Sequence, residues 1–480
     1  MKQSGTLKWG QIYDSIYGFI RLTSTEERII NSPFFQRLRW IKQLGFASYI
    51  FAGAEHSRFA HAIGVCHSAD QMIRAIGFDV SPEKLFNPKA TDADSLFHKS
   101  VRIAAMLHDI GTFPFSHSIE GAYIRAGEKI KKIGKNKDRL NNHEHLGSYI
   151  IKNTKFEGGI TSILEKDGLD ASLISKFIKG DSHNLLANQL LHSDIDADRM
   201  DYLIRDAHYT GIKYGHIDRD YILYHLTTFD AGNGQQALAI KENAIQAVED
   251  FLIARFAWYS QVVRNIGSAK FDVLAQHIAS YLLEKNVIHT FDDLLEMAGE
   301  DPERFFGFND VYFMNLIQKL YWDKKFKDPV INEQMQMLIY RIAPKDILLK
   351  ESRHRFFEVG KDGTLIEKEK TVKKLNEKLE EIESIFKKHG NGTEWIVADI
   401  PSKYVIFTQD MATLIKKRSS EQLYTERDPI KVLSREGHPS LLIESENSLI
   451  GKVSRYVNFI PNIYGNESAV ELLKNKKIID

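Results

Sequence analysis

Apolar residues recur at helical spacing over most of this chain, and proline, the usual breaker of such a pattern, occurs only 11 times in 480 residues. Ile29, Ile30, Phe34, Leu38, Ile41 and Leu44 fall on one helical face, and Val101, Ala104, Ala105 and Leu107 on another. Ala244 to Leu283 reads as helix with almost no breaker. The first part of the chain is therefore expected to be mainly α. After about residue 345 the pattern changes. Thr371 to Lys388 is a charged amphipathic helix, Tyr404 to Thr408 and Leu441 to Glu444 have strand character, and Glu436 to Pro439 forms a turn around Gly437. The expected division is a helical unit over 1–345 and a smaller α+β region over 346–480, with no internal repeat.

Composition excludes some classes. Lys plus Arg and Asp plus Glu number 64 each, so no bulk charge draws the chain to nucleic acid or anionic lipid. No run of about 18 apolar residues suggests a membrane span, and Met1 to Asp14 lacks an apolar stretch of signal-peptide length. Cys66 is the single cysteine, which forbids an internal disulfide and suits a reducing, cytoplasmic setting. Lys129 to Arg139 is basic and reads as a solvated loop, with polyphosphate or nucleic-acid binding as the lesser reading.

Chemistry concentrates in three segments. In Ala104 to Glu120, AAMLHDIGTFPFSHSIE, adjacent His108 and Asp109 follow an apolar helical run. Neighbours on a helix lie about 100° apart, so both can face one ion only at a helix end or a locally distorted turn, and Gly111 and Pro114 soon after suggest such an end. Imidazole and carboxylate together suit Zn, Fe, Mn or similar ions. Upstream, GAEHSRFAHAIGV places Arg58 and His61 three apart. Downstream, HSDIDADRMDYLIRDAHYTG carries Asp194, Asp196, Asp198, Asp201 and Asp206 among apolar residues. Partly buried carboxylates need a counter-charge, which the interleaved Arg199 and Arg205 or a metal can supply.

The order H…HD…D resembles the HD superfamily of metal-dependent phosphohydrolases. FQRLRWIKQLG (Phe35 to Gly45), Arg58-Phe59-Ala60-His61, His108-Asp109 and Asp196 to Tyr202 narrow the likeness to the deoxynucleoside triphosphate (dNTP) triphosphohydrolases, the bacterial dGTPases and the SAM-and-HD-domain dNTPase among them. The resemblance covers about residues 10 to 270, and the motifs begin so near the N-terminus that no preceding SAM domain is expected. It implies an HD-domain helical core and hydrolysis of dNTPs to deoxynucleoside and inorganic triphosphate. The neighbouring readings are an HD-type nucleotide or nucleic-acid phosphodiesterase and a catalytically weak nucleotide sensor.

The same resemblance implies His61, His108, Asp109 and Asp198 as ligands of a divalent ion (Mn, Mg, Fe, Zn or Ni). It assigns Arg58 to the α-phosphate and His117 and His143 to proton donation or charge stabilisation. Gln43 and Leu44 would meet the sugar, while Arg199, Tyr202 and Asp206, on one helical face, would hold phosphate, stack near the sugar and accept from its 3′-hydroxyl. Arg255 is a further phosphate candidate, and His145 and His208 are structural or supporting. Family members form dimers, tetramers or hexamers, some activated by bound nucleotide. Two positions depart from the pattern: Thr112 stands where a catalytic histidine is common, and Ala60 replaces a glutamate beside the ligand histidine. Threonine can neither donate a proton at neutral pH nor carry positive charge.

Overall fold

The computed structural model describes residues 10–479 apart from 79, 88–89, 133–139, 361–364, 402–423, 425 and 455. The expected strand at Tyr404 to Thr408 and most of the basic stretch lie outside the described residues; Lys129 itself closes on Glu284 from the end of a helix.

The chain enters through an antiparallel hairpin, β1 (Gly10–Asp14) and β2 (Gly18–Leu22). Two short helices follow, Ser24–Ile30 and Pro33–Arg37, where the periodicity predicted one continuous face. Pro33 cannot continue a helix but suits its first turn, and the Ser32 hydroxyl caps the new helix by accepting from the Phe35 amide. The apolar face is still buried: Ile29, Phe34, Leu38 and Ile41 are at most 1% exposed. Periodicity had located the buried side correctly and the helix boundary wrongly.

Three helices then frame the centre of the molecule: α1 (Arg58–Ala75), α2 (Ala93–Leu107) and, after α3 (His117–Lys132) and α4 (His143–Asn153), α5 (Ala197–Thr210). Helix α2 stops at Leu107, which places His108 and Asp109 on the turn beyond its last residue, the helix end that Gly111 and Pro114 suggested. Gly111 lies where a Cβ would collide with the backbone of His143 and Gly147, so the turn can press against α4 only with glycine there. Strands β3 (Leu226–Asp230) and β4 (Gln236–Lys241) form a second hairpin.

Ala244 to Leu283 is not one uninterrupted helix. Helix α6 (Ile245–Trp258) runs into a wide π-turn over Tyr259–Val263 and breaks at Arg264 and Asn265. The Asn265 side chain accepts from the Gly267 amide and opens α7 (Ile266–Glu284). Asparagine competes with the backbone in this way, which periodicity does not report.

The late residues are α+β. Helix α8 (Ile366–His389) buries Leu375 and Ile382 in a second core with Phe459 and Leu473. Strand β5 (Ile396–Asp399) pairs with a strand further on, while β6 (Lys431–Leu433) and β7 (Pro439–Leu441) form a hairpin around Gly437. The strand expected at Leu441 to Glu444 ends at Leu441 and continues as a 3-10 turn. Strand β6 lies parallel to β4, with Ile240 beside Val432, so early and late segments share one four-stranded sheet. Among the described residues, no helix is long and apolar enough to cross a membrane.

Candidate metal centre and cleft

Four side chains from three separate segments converge at the centre. His61 comes from the first turns of α1, His108 and Asp109 from the end of α2, and Asp198 from the first turn of α5. His61 Nε2 lies 3.0 Å from Asp198 Oδ1 and 3.8 Å from Asp109 Oδ2. His108 Nε2 lies 3.1 Å from Asp109 Oδ2 and 3.8 Å from Asp198 Oδ1. Potential donor atoms of His61, His108 and Asp198 all fall within 4.8 Å of one another. The convergence expected from the sequence is therefore present.

The donor set fits a divalent cation. His61 Nε2 is buried and, among the described residues, has no partner in hydrogen-bonding geometry although a carboxylate stands beside it. Both imidazoles are turned by their other nitrogen, His61 donating from Nδ1 to Asp201 (2.7 Å) and His108 from Nδ1 to the Ala105 carbonyl (2.7 Å). Burial works to lower the His61 pKa, but the Asp198 and Asp201 carboxylates outweigh it and hold the ring up at about 9. Burial would raise Asp109, yet Arg58 and His108 hold its carboxyl well below the ordinary range. Protons and a guanidinium thus supply the positive charge that a cation supplies when bound.

A cleft of about 600 Å³ opens beside this group. Arg58 lines it, donating through Nε to Ser116 Oγ (2.9 Å) and pairing with Asp109. Gln43 and Leu44 line it as well, and Gln43 Oε1 is buried without a partner among the described residues. Arg199 reaches the wall while tethered to Asp196 and to the Ser193 carbonyl (2.8 Å). Tyr202 packs on Trp258 with ring centroids 4.4 Å apart, and both rings face the cleft.

Two expected site residues lie elsewhere. Asp206, expected to accept from a sugar hydroxyl, is fully buried behind the wall, where Oδ1 accepts from His56 (2.8 Å) and Oδ2 from Trp258 Nε1 (2.8 Å). Its acceptors are occupied, and it bears on the cleft only by fixing Trp258. Arg255 does not line the cleft; it donates to Asp194 at 2.7 Å. Thr112 is 1% exposed and also off the lining, with its carbonyl accepting from Arg37. His145 packs on Phe291, and His208 is exposed beside Tyr209.

His117 and His143 stand together, ring centroids 5.2 Å apart, each donating from Nδ1 to one oxygen of the buried Glu120 (2.7 and 2.6 Å). Burial works against protonation of His143, but Glu120 overrides it and holds the ring at about 9. A histidine raised in this way adds stability that is complete below its unfolded value of about 6.5 and is lost as pH rises through about 9. Replacing Glu120 by Gln is therefore expected to lower the thermal midpoint most near pH 6 and hardly at all near pH 10. A pH-independent loss would sink the assignment.

Sequence reasoning missed Glu120, Asp201 in its contact with His61, Trp258, Arg264 and Asp399. Glu120 had a signal in its i+3 spacing from His117. Asp201 had one in DADRMD, three residues beyond Asp198. Arg264 lines the cleft paired with Asp399 of β5, a contact between distant segments that no local pattern announces.

Comparison with known proteins agrees with this geometry. Residues 58–206, which contain all four converging side chains, match the HD domain family. The chain is an HD-domain protein. HD domains depend on a divalent metal, and this chain's His and Asp group can hold one, its identity open. The HD-domain chain is 31% identical over 358 residues to an uncharacterized protein of Methanocaldococcus jannaschii, covering 72% of this chain and 66% of that one. It is 34% identical over 217 residues to the deoxynucleoside triphosphate triphosphohydrolase SAMHD1 of Mus musculus, covering 42% of this chain and 32% of that protein. The chain thus spans about two thirds or less of the curated relatives it matches. A crystal structure of a phosphohydrolase from Bacteroides thetaiotaomicron shares the fold, with a TM-score of 0.64 at 20% identity over 95% of this chain and 100% of that one.

Proposed function

We propose that this HD-domain protein hydrolyses deoxynucleoside triphosphates to deoxynucleoside and inorganic triphosphate. The observation that carries the reading is Arg58, a guanidinium fixed by Ser116 and Asp109 on the wall of a nucleotide-sized cleft, directly beside the four-residue metal group. SAMHD1 bears the name of that reaction, and its likeness to this chain supports the same reading.

When bound, a divalent cation supplies Lewis acidity at the phosphoryl group. This chain's residues do the rest. Arg58 offers a forked, permanently charged donor to the α-phosphate, to which guanidinium binds in bidentate fashion. Arg199 adds a second cation from the wall. His143, held protonated by Glu120, keeps positive charge nearby. Water attacks the α-phosphorus, the bond to the 5′-oxygen breaks, and that oxygen takes a proton. His117 suits the proton transfer because it lines the cleft and Glu120 orients its ring through Nδ1, which leaves Nε2 without that tie. The Gln43 amide and Leu44 suit a deoxyribose, one offering a hydrogen bond and the other a close apolar surface.

The test is an incubation with each dNTP and NTP, with Mn²⁺, Mg²⁺ and other divalent ions in turn, and products separated by chromatography. Deoxynucleoside plus triphosphate is expected. Monophosphate or pyrophosphate would overturn the reading in favour of a phosphodiesterase, and tight binding with no turnover on any ion would point to a sensor.

A further inference from the structure

His61 does not stand alone in the wall of the metal group. Its Nδ1 donates to Asp201 Oδ2 at 2.7 Å, which leaves the Nε2 lone pair for a cation. Asp201 is fully buried, as is Arg205 one turn later on α5. Arg205 grips that carboxylate with two donors, Nε to Oδ2 at 2.8 Å and Nη2 to Oδ1 at 2.9 Å. Its remaining arm, Nη1, donates to Asp14 Oδ2 at 2.9 Å. Asp14 ends β1, and its other oxygen accepts from the Ile16 and Tyr17 amides at 2.8 and 3.1 Å, closing the turn of the N-terminal hairpin.

A second, independent observation lies on α1. Gly64 sits three residues beyond His61, and a Cβ there would collide with Asp201 Oδ1 and Arg205 Nη2. Space for the carboxylate therefore exists only because the helix that bears His61 carries glycine one turn on. Helix interiors disfavour glycine relative to alanine, and at this position the missing Cβ is what makes room for the carboxylate.

We infer that Asp201 is the positioning residue for His61, with Gly64 giving it room and Arg205 and Asp14 holding it, so that the N-terminal hairpin helps set the affinity of the metal group. This rests on the metal-binding reading of His61, His108, Asp109 and Asp198. Carboxylates that orient a ligand imidazole typically account for about 10–100-fold in metal affinity.

The experiment uses the full chain, stripped with chelator and titrated with Mn²⁺, free ion being followed by electron paramagnetic resonance. Asp201→Leu is expected to weaken Mn²⁺ binding about 10–100-fold. Asp201→Asn keeps an oxygen that can accept from Nδ1–H while withdrawing the charge from Arg205, so it is expected to retain most of the affinity. If the Leu variant, shown folded by circular dichroism, bound Mn²⁺ like the unmodified protein, the inference would be overturned. Equal losses in Asn and Leu would overturn it too, since Asp201 would then serve only Arg205. Should Asp201→Leu fail to fold, Gly64→Ala decides instead, because its methyl displaces the carboxylate and leaves every charge in place. It is expected to weaken binding about tenfold, and unchanged affinity would overturn the inference. Absence of Mn²⁺ binding by the unmodified protein would defeat the metal-site reading itself, an outcome distinct from any of these.

Discussion

Asp198→Ala is expected to yield a folded protein that retains no divalent ion and has lost dNTP hydrolysis by at least about a thousandfold. A bound cation is worth several kcal/mol of transition-state stabilisation, and each 1.36 kcal/mol is tenfold in rate. Asp198 Oδ1 stands near both imidazoles, so its removal takes away a donor that both share. Its side chain is 34% exposed on the first turn of a helix whose cap is Asp196, so packing and capping survive the change. His108→Ala is expected to act alike. Metal content by mass spectrometry and rate measured on the same samples check the prediction. Retention of both in either variant would remove the basis for the hydrolase reading.

The second large effect separates chemistry from metal binding. Arg58→Ala, assayed at saturating Mn²⁺, is expected to hold the ion at least as tightly as the unmodified protein while hydrolysis falls about 10²–10³-fold, the usual consequence of deleting one donor to developing charge. The reason is the Arg58–Asp109 pair. Without a cation, the guanidinium is the principal positive partner of a buried carboxylate, and its loss would leave that charge to His108 alone among the groups that chiefly hold it. With a cation bound, Asp109 has another partner and loses a competitor. Full rate in this variant would show that Arg58 does not meet the phosphate. Loss of metal along with rate would show that the arginine organises the group rather than acting on substrate.

What the sequence disclosed and what it concealed differ in physical kind. Adjacent His108 and Asp109 at a helix end could be read because adjacency demands a helix end or a distorted turn, and Gly111 and Pro114 favour the end. The convergence of His61 and Asp198 on them became legible only through the resemblance, since no periodicity links positions so far apart. Asp206 shows the limit of that transfer. Its place on a helical face with Arg199 and Tyr202 was read correctly, but a face does not say which neighbours already hold a side chain, and His56 and Trp258 hold this one. The break at Pro33 was present as a Ser-Pro pair and was overlooked in favour of the apolar rhythm. Arg264 with Asp399 is different again: long-range pairing leaves no trace in either local segment.

The parallel contact of β4 with β6 has a consequence during synthesis. Ile240 meets Val432 only after about 190 further residues have been made, which at 5–20 residues per second takes roughly 10–40 s. Through that interval the Gln189 side chain already accepts from the Leu238 amide, but the Ile240 end of β4 lacks its parallel neighbour, and open strand edges recruit strands from other chains. The growing polypeptide is thus most exposed to misassembly at this edge until the segment around Val432 has left the ribosome.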